Sequence, residues 1–469
     1  MNTVKYFTPL IILLSGFSLK AQNSIKTLSA GQVMEIVKQF HPVAKQADVL
    51  IEKAKADVTI AKGLFDPVLK NEMAQKTFDG SDYYYYNRPE LLIPTWFGVE
   101  VSAGLENLSG NRTPPEETRG KTSYLGISIP LAKNLLMDKR RAVLQTAKIL
   151  RDASAIEKRN VLNNLLQDAM NSYWNWVKQY QIYMILTDAV TVNEKRVNLT
   201  KMAFSLGDRP AIDTTEALVQ LQNFELMKSQ AYLDFQNDGL ELSLFMWTAN
   251  SQPYTMALSI VPGDDLQFKN IAAAPMPEIS NLLQAAIKNH PDLLIYNYKL
   301  DVLGVDKKLK FQDLLPKVNF KYNQLGKGYD LPVSGPLFEN NYQYGLSIGI
   351  PLRLSQGRGE YRKAKLKITE TQLQQTEKQL QVENKVKSYF NELLSLKNQV
   401  VLQEKALKNY QALQRGEEIR FQEGESSLFL VNTRESKTLE ALQKLQDLKV
   451  KFYKTENTLK WAAGILVQE

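Results

Sequence analysis

Every seventh residue from Leu162 gives the series Leu162, Ala169, Trp176, Tyr183, Val190 and Val197. Four residues beyond the first four of these come Leu166, Tyr173, Tyr180 and Thr187. Apolar side chains recurring about every 3.5 residues stay on one face when helices supercoil left-handedly. No proline interrupts Ala132 to Phe204, so the stretch reads as one helix, on the order of 100 Å long at about 1.5 Å rise per residue. A compact globular domain rarely needs such a rod. The helix predicts that something is spanned.

The run ends at Phe204-Ser205-Leu206-Gly207-Asp208-Arg209-Pro210. Glycine closes a helix and proline opens the next, so this is a tight reversal, and a second helix runs back to about Trp247. The order of elements then repeats. The two histidines of the chain are both followed by proline, His41-Pro42 and His290-Pro291, 249 residues apart, and Pro67 and Pro316 end the first helix of each half at the same offset; in the first half that helix carries Val33, Ile36 and Val37, passes His41-Pro42 and continues to about Gly63. Ile129-Pro130-Leu131 recurs as Ile350-Pro351-Leu352, Ser172-Tyr173-Trp174-Asn175 as Ser388-Tyr389-Phe390-Asn391, and Phe204 with Gly207 as Phe421 with Gly424. Matches in this order are an internal duplication. Heptads return after the second strand region, as Leu366, Leu373, Leu380 and then Leu393, Val400, Leu407.

Between the helices of each half lies a strand region. Phe97, Val99, Val101, Ala103 and Leu105 alternate with small or polar residues, as do Leu125, Ile127, Ile129 and Leu131. In the second half Val318, Phe320 and Tyr322 alternate with Asn319, Lys321 and Asn323, and Leu346, Ile348 and Ile350 with Ser347 and Gly349. A period of two gives one apolar and one polar face. The run Tyr342 to Leu352 has the length of a tilted transmembrane strand, with Leu346, Ile348 and Ile350 as lipid-facing candidates. Tyr83 to Tyr86, Trp96 and Phe97 lie where a membrane barrel carries its aromatic girdle. The first half holds 28 more residues between its matched prolines than the second, because Pro67 to Pro130 spans 63 residues and Pro316 to Pro351 spans 35. An added hairpin or long surface loop would account for them.

Residues 1–21 read as a secretory signal: Lys5 is the basic start, Phe7 to Leu19 the apolar run, and Ala21 the last residue before cleavage. Its removal takes the formal charge from +8 to +6. The mature chain holds no apolar run of about 18 residues or more, so strands would have to do any membrane crossing. It divides into a first repeat at 22–247 (strands about 67–131, helical hairpin 132–247), an irregular connector at 248–277, and a second repeat at 278–469 (strands about 316–352, hairpin 355–464).

Composition excludes much chemistry. With no cysteine there is no disulfide, thiolate metal site or thiol nucleophile. Each histidine sits at a helix start before proline, without carboxylates at metal-ligand spacing, and reads as structural. No phosphate loop, dinucleotide fingerprint or nucleophile elbow is present. No catalytic residue, metal or cofactor is therefore expected. Basic residues are interspersed with acidic ones, which gives no support to nucleic-acid binding. Asp138-Lys139-Arg140-Arg141 and Arg358 to Lys363, just after the strands, suit either lipid headgroups or solvated helix ends.

A few strands cannot close a barrel alone, and open edges cannot face lipid. Several chains must pool their strands around a polar lumen, and the same association would bury the heptads. In its duplicated order, its His-Pro helix starts, Ile-Pro-Leu strand ends and glycine reversals, the mature chain resembles the outer-membrane efflux protein family of the TolC type. The resemblance implies a mainly α protein with membrane β structure: a homotrimer with a shared β-barrel in the outer-membrane lipid of a Gram-negative bacterium and an α-helical barrel in the periplasm. It further implies a channel that works with a periplasmic adaptor and an inner-membrane transporter in tripartite efflux or type I secretion. The family closes its periplasmic end near the helix reversals. Asp213, six residues after Gly207, matches the family's tip aspartate. Six and nine residues after Gly424, where a well-known member has carboxylates, stand Leu430 and Thr433. Arg209 and Arg434 complete the gate candidates. The alternative is a periplasmic coiled-coil adaptor or scaffold, for which one helical hairpin flanked by β domains would be expected rather than two hairpins, each preceded by strands.

Overall fold

A computed structural model of the chain describes residues 26–113, 117–257, 259–263, 266, 270–332 and 336–467. The signal assigned to 1–21 lies outside the described residues. The first repeat opens with α1 (Ala30–Phe40) and α2 (Pro42–Gly63). Four strands follow, β2 (Val68–Phe78), β3 (Ser81–Pro94), β4 (Glu100–Ser109) and β5 (Gly120–Pro130). Then come the long α3 (Lys139–Ser205) and α4 (Ala211–Ser243). The second repeat runs α5 (Ile279–Asn289), α6 (Pro291–Gln312), β7 (Lys317–Lys327), β8 (Tyr342–Gly349), α7 (Ser355–Gln422) and α8 (Leu428–Ala462). A short parallel pair, β1 (Lys26–Leu28) with β6 (Ile260–Pro262), ties the connector to the first residues.

Matched elements have nearly equal lengths. α1 and α5 each have 11 residues, α2 and α6 each 22, β2 and β7 each 11, and α3 and α7 have 67 and 68. Among the described residues β3 and β4 have no counterpart in the second repeat, so an added hairpin accounts for the 28 surplus residues of the first half.

Local chemistry sets the breaks. The helix expected to continue through His41 is instead two helices. His41 is extended, at φ −64° and ψ 134°, and its Nδ1 accepts from Val43 N at 3.1 Å. Pro42 then starts α2 with its φ already fixed and no N–H to satisfy. His290 does the same for α6, accepting from Asp292 N at 3.2 Å. Ser29 and Gln32 form a reciprocal capping box on α1. The long helix starts at Lys139 rather than Ala132, because Asp138 caps it by accepting from Arg141 N at 2.9 Å. Phe97 and Val99 belong to the β3–β4 turn, where Thr95 and Val99 bond across the chain, so β4 is shorter than its alternation suggests. Ile350 lies one residue beyond the end of β8.

The heptad residues Leu162, Leu166, Ala169, Tyr173, Trp176, Val190 and Val197 are buried. Around Tyr173 and Trp176, α1, α3, α4 and the connector form the largest core, and Tyr173 donates to the Leu28 carbonyl at 3.0 Å. A second core joins α5, α7 and α8 through Val386, Leu393, Val400, Leu448 and Leu459. Leu366, Leu373 and Leu380 behave differently. Leu373 is 68 % exposed, whereas Leu393 on the same helix is 1 % exposed. Toward the helix reversals the helices lie side by side as α4, α3, α8, α7, and toward the strands as α2, α3, α6, α7. Thus α7 forms one side of the molecule at both levels, and α2 and α4 form the other.

Candidate functional site

The six longer strands make one antiparallel sheet in the order β2-β3-β4-β5-β7-β8. Its registers sort the side chains by face. Val101 opposes Ile127, which opposes Tyr322, which opposes Tyr344. Leu69, Leu91, Ala103 and Leu125 follow one row away, with Phe320 and Leu346 on the other side. This face is apolar. Leu346 and Ile348 lie on it, both exposed, and Ile350 follows just past the strand, also exposed.

The other face is polar and richly paired. Lys70 bridges Glu90 at 3.0 Å, and Arg88 bridges both Glu106 and Glu117 at 3.0 Å. Tyr86 donates to Glu72 at 2.9 Å, and Asn323 to Gln343 at 3.3 Å. Ser102, Tyr124 and Asn323 on this face are buried while Leu105, Leu125 and Ile127 on the opposite face are exposed. The sheet therefore curls with its polar face inside. Gly126 permits the curl: a Cβ there would collide with Asn323 Oδ1 and lie 2.7 Å from Ser102 Oγ. A curled sheet with a polar inner and an apolar outer face has the side-chain pattern of a membrane-barrel wall.

Short bonds lock sheet to helices. Arg141 donates to the carbonyls of Leu135 at 3.0 Å and Asn134 at 2.5 Å, and Arg140 pairs with Glu100 at the foot of β4. Lys133 bridges Asp313 at 2.8 Å. Arg140 and Arg141 thus tie β4 and the segment before α3 to the start of α3, and Lys133 ties the segment after β5 to the end of α6.

At the far end, the two helix pairs reverse. Gly207 (φ 83°) and Gly424 (φ 80°) take the left-handed conformation that closes α3 and α7. Arg209 reaches from the first reversal to the second. Its guanidinium lies 4.0 Å from the Phe421 ring centre and donates to the Phe421 carbonyl at 2.6 Å. Asp213 occupies the first turn of α4, where the helix dipole favours a carboxylate. Arg434 lies 3.7 Å from Glu417, which is buried and also accepts from Ser426. Leu430 and Thr433 are exposed on α8, and Thr433 bonds back to the Phe429 carbonyl at 2.8 Å. The structure brings Arg209 to Phe421 and Arg434 to Glu417; Asp213, Leu430 and Thr433 join neither pair.

Sequence reasoning missed the strongest polar contact near the tip. Arg196 on α3 grips Glu435 on α8 with two bonds, at 2.5 and 3.2 Å, and Asn193 donates to the same carboxylate at 3.0 Å. Asn432 donates to Glu216 on α4 at 3.1 Å. Asn193, Asn432 and Glu435 are all buried. The available signal was Asn193, a polar residue three after Val190 on the buried side of a heptad run.

The two histidines serve as helix caps, and burial pushes both below the usual histidine range, His290 to about 4. Asp292 next to it is held ionised-ready by Lys378 at 2.7 Å. Among the described residues no cluster of three or more His, Cys, Asp or Glu could hold a metal ion. No helix among them is long and apolar enough to cross a membrane.

A curled antiparallel sheet continued by two helices each about 100 Å long, each paired with a shorter helix running back, defines the fold. Solved structures share the fold. The Vibrio cholerae outer membrane protein VceC superimposes with a TM-score of 0.64 at 14 % identity, over 93 % of this chain and 96 % of that one. The open-state outer membrane channel MtrE of Neisseria gonorrhoeae gives 0.64 at 12 %, over 93 % and 89 %. The Campylobacter jejuni outer membrane channel CmeC gives 0.62 at 14 %, over 93 % and 86 %. No curated protein matches the sequence. Residues 282–465, most of the second repeat, match the outer membrane efflux protein family. That family is one of transport channels rather than enzymes.

Proposed function

We propose that this protein is the outer-membrane channel of a tripartite efflux or type I secretion system, and that three copies form it. The observation that carries this reading is the sheet: one face apolar and exposed, the other charged and curled inward, with two edges unpaired among the described residues. Such edges are not tolerated in lipid, so neighbouring copies must complete the wall. The helices make the same demand. Ile212, Val219, Leu226, Leu233 and Leu240 form a seven-residue stripe on α4 that is exposed throughout, as are Leu366, Leu373 and Leu380 on α7. Stripes of this kind on the two outer helices suit a closed ring.

In this reading the helices extend through the periplasm from an outer-membrane barrel, and a periplasmic adaptor and an inner-membrane transporter deliver cargo to the reversals. Gly207, Arg209, Asp213, Gly424, Leu430, Thr433 and Arg434 lie around the entrance, with Arg209 as its main latch. No step requires a cofactor or catalytic group. The test is direct: cell fractionation, native mass and planar-bilayer recording of the purified protein. Outer-membrane trimers that conduct ions support the proposal. A water-soluble monomer without conductance overturns it and favours the adaptor reading.

A further inference from the structure

Strand number sets barrel width, and here the added hairpin changes it. Resting on the trimeric-channel reading, we infer that the barrel has eighteen strands, six from each of three chains, and that β8 of each copy pairs with β2 of the next, with Ser347 opposite the next copy's Ala74.

The pairing follows from the duplication. β5 and β8 each lead into a long helix, and β2 and β7 each follow a histidine-capped helix. Within one chain β5 pairs with β7, joining the last strand of the first repeat to the first strand of the second. The equivalent junction at the end of the second repeat is β8 with a new β2, which only another copy can supply. The intrachain register then transfers. Gly126 opposes Asn323 and Ile127 opposes Tyr322. Ser347 and Ile348 correspond to Gly126 and Ile127 at the offset of the Ile-Pro-Leu match, and Ala74 and Met73 correspond to Asn323 and Tyr322 at the offset of the His-Pro match. Ser347 therefore meets Ala74 on the polar face, and Ile348 meets Met73 on the apolar face. The assignment keeps both faces continuous across the junction.

Two further observations agree. Every residue of β8 is exposed, and every residue of β2 but one, so nothing among the described residues covers these edges. The helices obey the same rule: α3 packs on α6 and α8 within a chain, so its counterpart α7 would pack on the next copy's α2 and α4. That contact covers Leu366, Leu373 and Leu380.

The hairpin β3–β4 lies inside this sheet, hydrogen-bonded on both sides. Without it each chain would supply four strands and the barrel would have twelve. Barrel diameter grows roughly linearly with strand number, so eighteen strands give a cylinder about 1.5 times as wide, in the range where porins hold an aqueous channel. The hairpin also supplies Arg88, Glu90 and Glu106, the core of the charged ladder on the lumen face. It thus widens the exit and makes it more polar, which suits bulky hydrophilic cargo.

Because the native chain has no cysteine, engineered pairs test this cleanly. Ala74→Cys with Ser347→Cys, and independently Met73→Cys with Ile348→Cys, are introduced into the full-length protein, oxidised in the membrane and run on non-reducing gels. Most of the protein should migrate as a covalent trimer that reduction returns to monomer. The single variants and the out-of-register pair Ala74→Cys with Gln343→Cys should stay monomeric on the gel. If Ser347→Cys instead links to Ser102→Cys or Glu106→Cys on β4, the wall closes with four strands per chain and the inference is wrong. Native trimers in which neither in-register pair links also overturn it. A monomeric wild-type protein by native mass would instead remove the channel reading on which it rests.

Discussion

Removing the Arg196 side chain should loosen the helix tip far more than its position suggests. The Arg196–Glu435 pair is bidentate, and the side chains are 15 % and 9 % exposed. Arg196→Ala leaves the Glu435 carboxylate buried with Asn193 as its main remaining partner. Breaking a buried pair from one side costs about 3–5 kcal/mol. At about 1.4 kcal/mol per tenfold change, opening of this part of the bundle should become more frequent by a factor on the order of 10² to several times 10³. Amide hydrogen exchange over α3 residues 190–205 and α8 residues 428–440 reads this directly. The double variant Arg196→Met with Glu435→Leu removes both charges while keeping apolar volume, and should recover most of the protection, because well-packed apolar pairs commonly equal a buried ion pair. If Arg196→Ala exchanges like wild type, or if the double variant is as loose as the single, the pair does not clamp α3 to α8.

Leu346→Asp and Ile348→Asp should each lower the assembled, membrane-inserted fraction, at a cost of about 2 kcal/mol or less per site depending on depth; wild-type insertion of both would mean the facing of β8 is wrong. Arg209→Ala removes the stacking on Phe421, about 1–2 kcal/mol, together with the bond to its carbonyl, and should raise the frequency of channel openings in bilayer recordings; unchanged conductance would strike Arg209 from the gate. His290 caps α6 as a neutral acceptor and its pKa falls from 6.5 to about 4 on folding. Its contribution is therefore complete above pH 6.5 and is lost as pH falls toward 4, by on the order of 3 kcal/mol. Melting curves between pH 7.5 and 4.5 should be flatter for His290→Asn, an N-cap that does not titrate; an equal slope in the two proteins would contradict this.

Much of the architecture is written in local pattern. The seven-residue run from Leu162 to Val197 dictates a long helix because no proline or glycine stops it, and the period-two alternation from Tyr342 to Ile348 dictates a strand with two unlike faces. Two offsets fixed by His-Pro and Ile-Pro-Leu reveal the duplication, since a repeated order of capping and breaking residues reproduces a repeated order of elements. Local pattern could not decide where those elements end. Asp138 moves the start of α3 seven residues inward because its carboxylate finds the Arg141 amide, and the Thr95–Val99 turn takes Phe97 and Val99 out of β4.

The tip illustrates the other limit. Gly207 and Gly424 are legible because a left-handed residue needs glycine, whatever surrounds it. The Arg196–Glu435 clamp is not, because its partners lie 239 residues apart and become neighbours only when two hairpins pack. The same holds for the strands. Alternation assigns each residue a face, but the order β2 through β8 and the membership of β3 and β4 in one sheet depend on hydrogen bonds between segments distant in the chain. The sequence by itself determined the rods, the two-faced strands and their duplication, since these follow from backbone geometry and side-chain period within a few residues. Only the tertiary structure decided which edges stay open, because an unpaired edge is a property of the whole sheet.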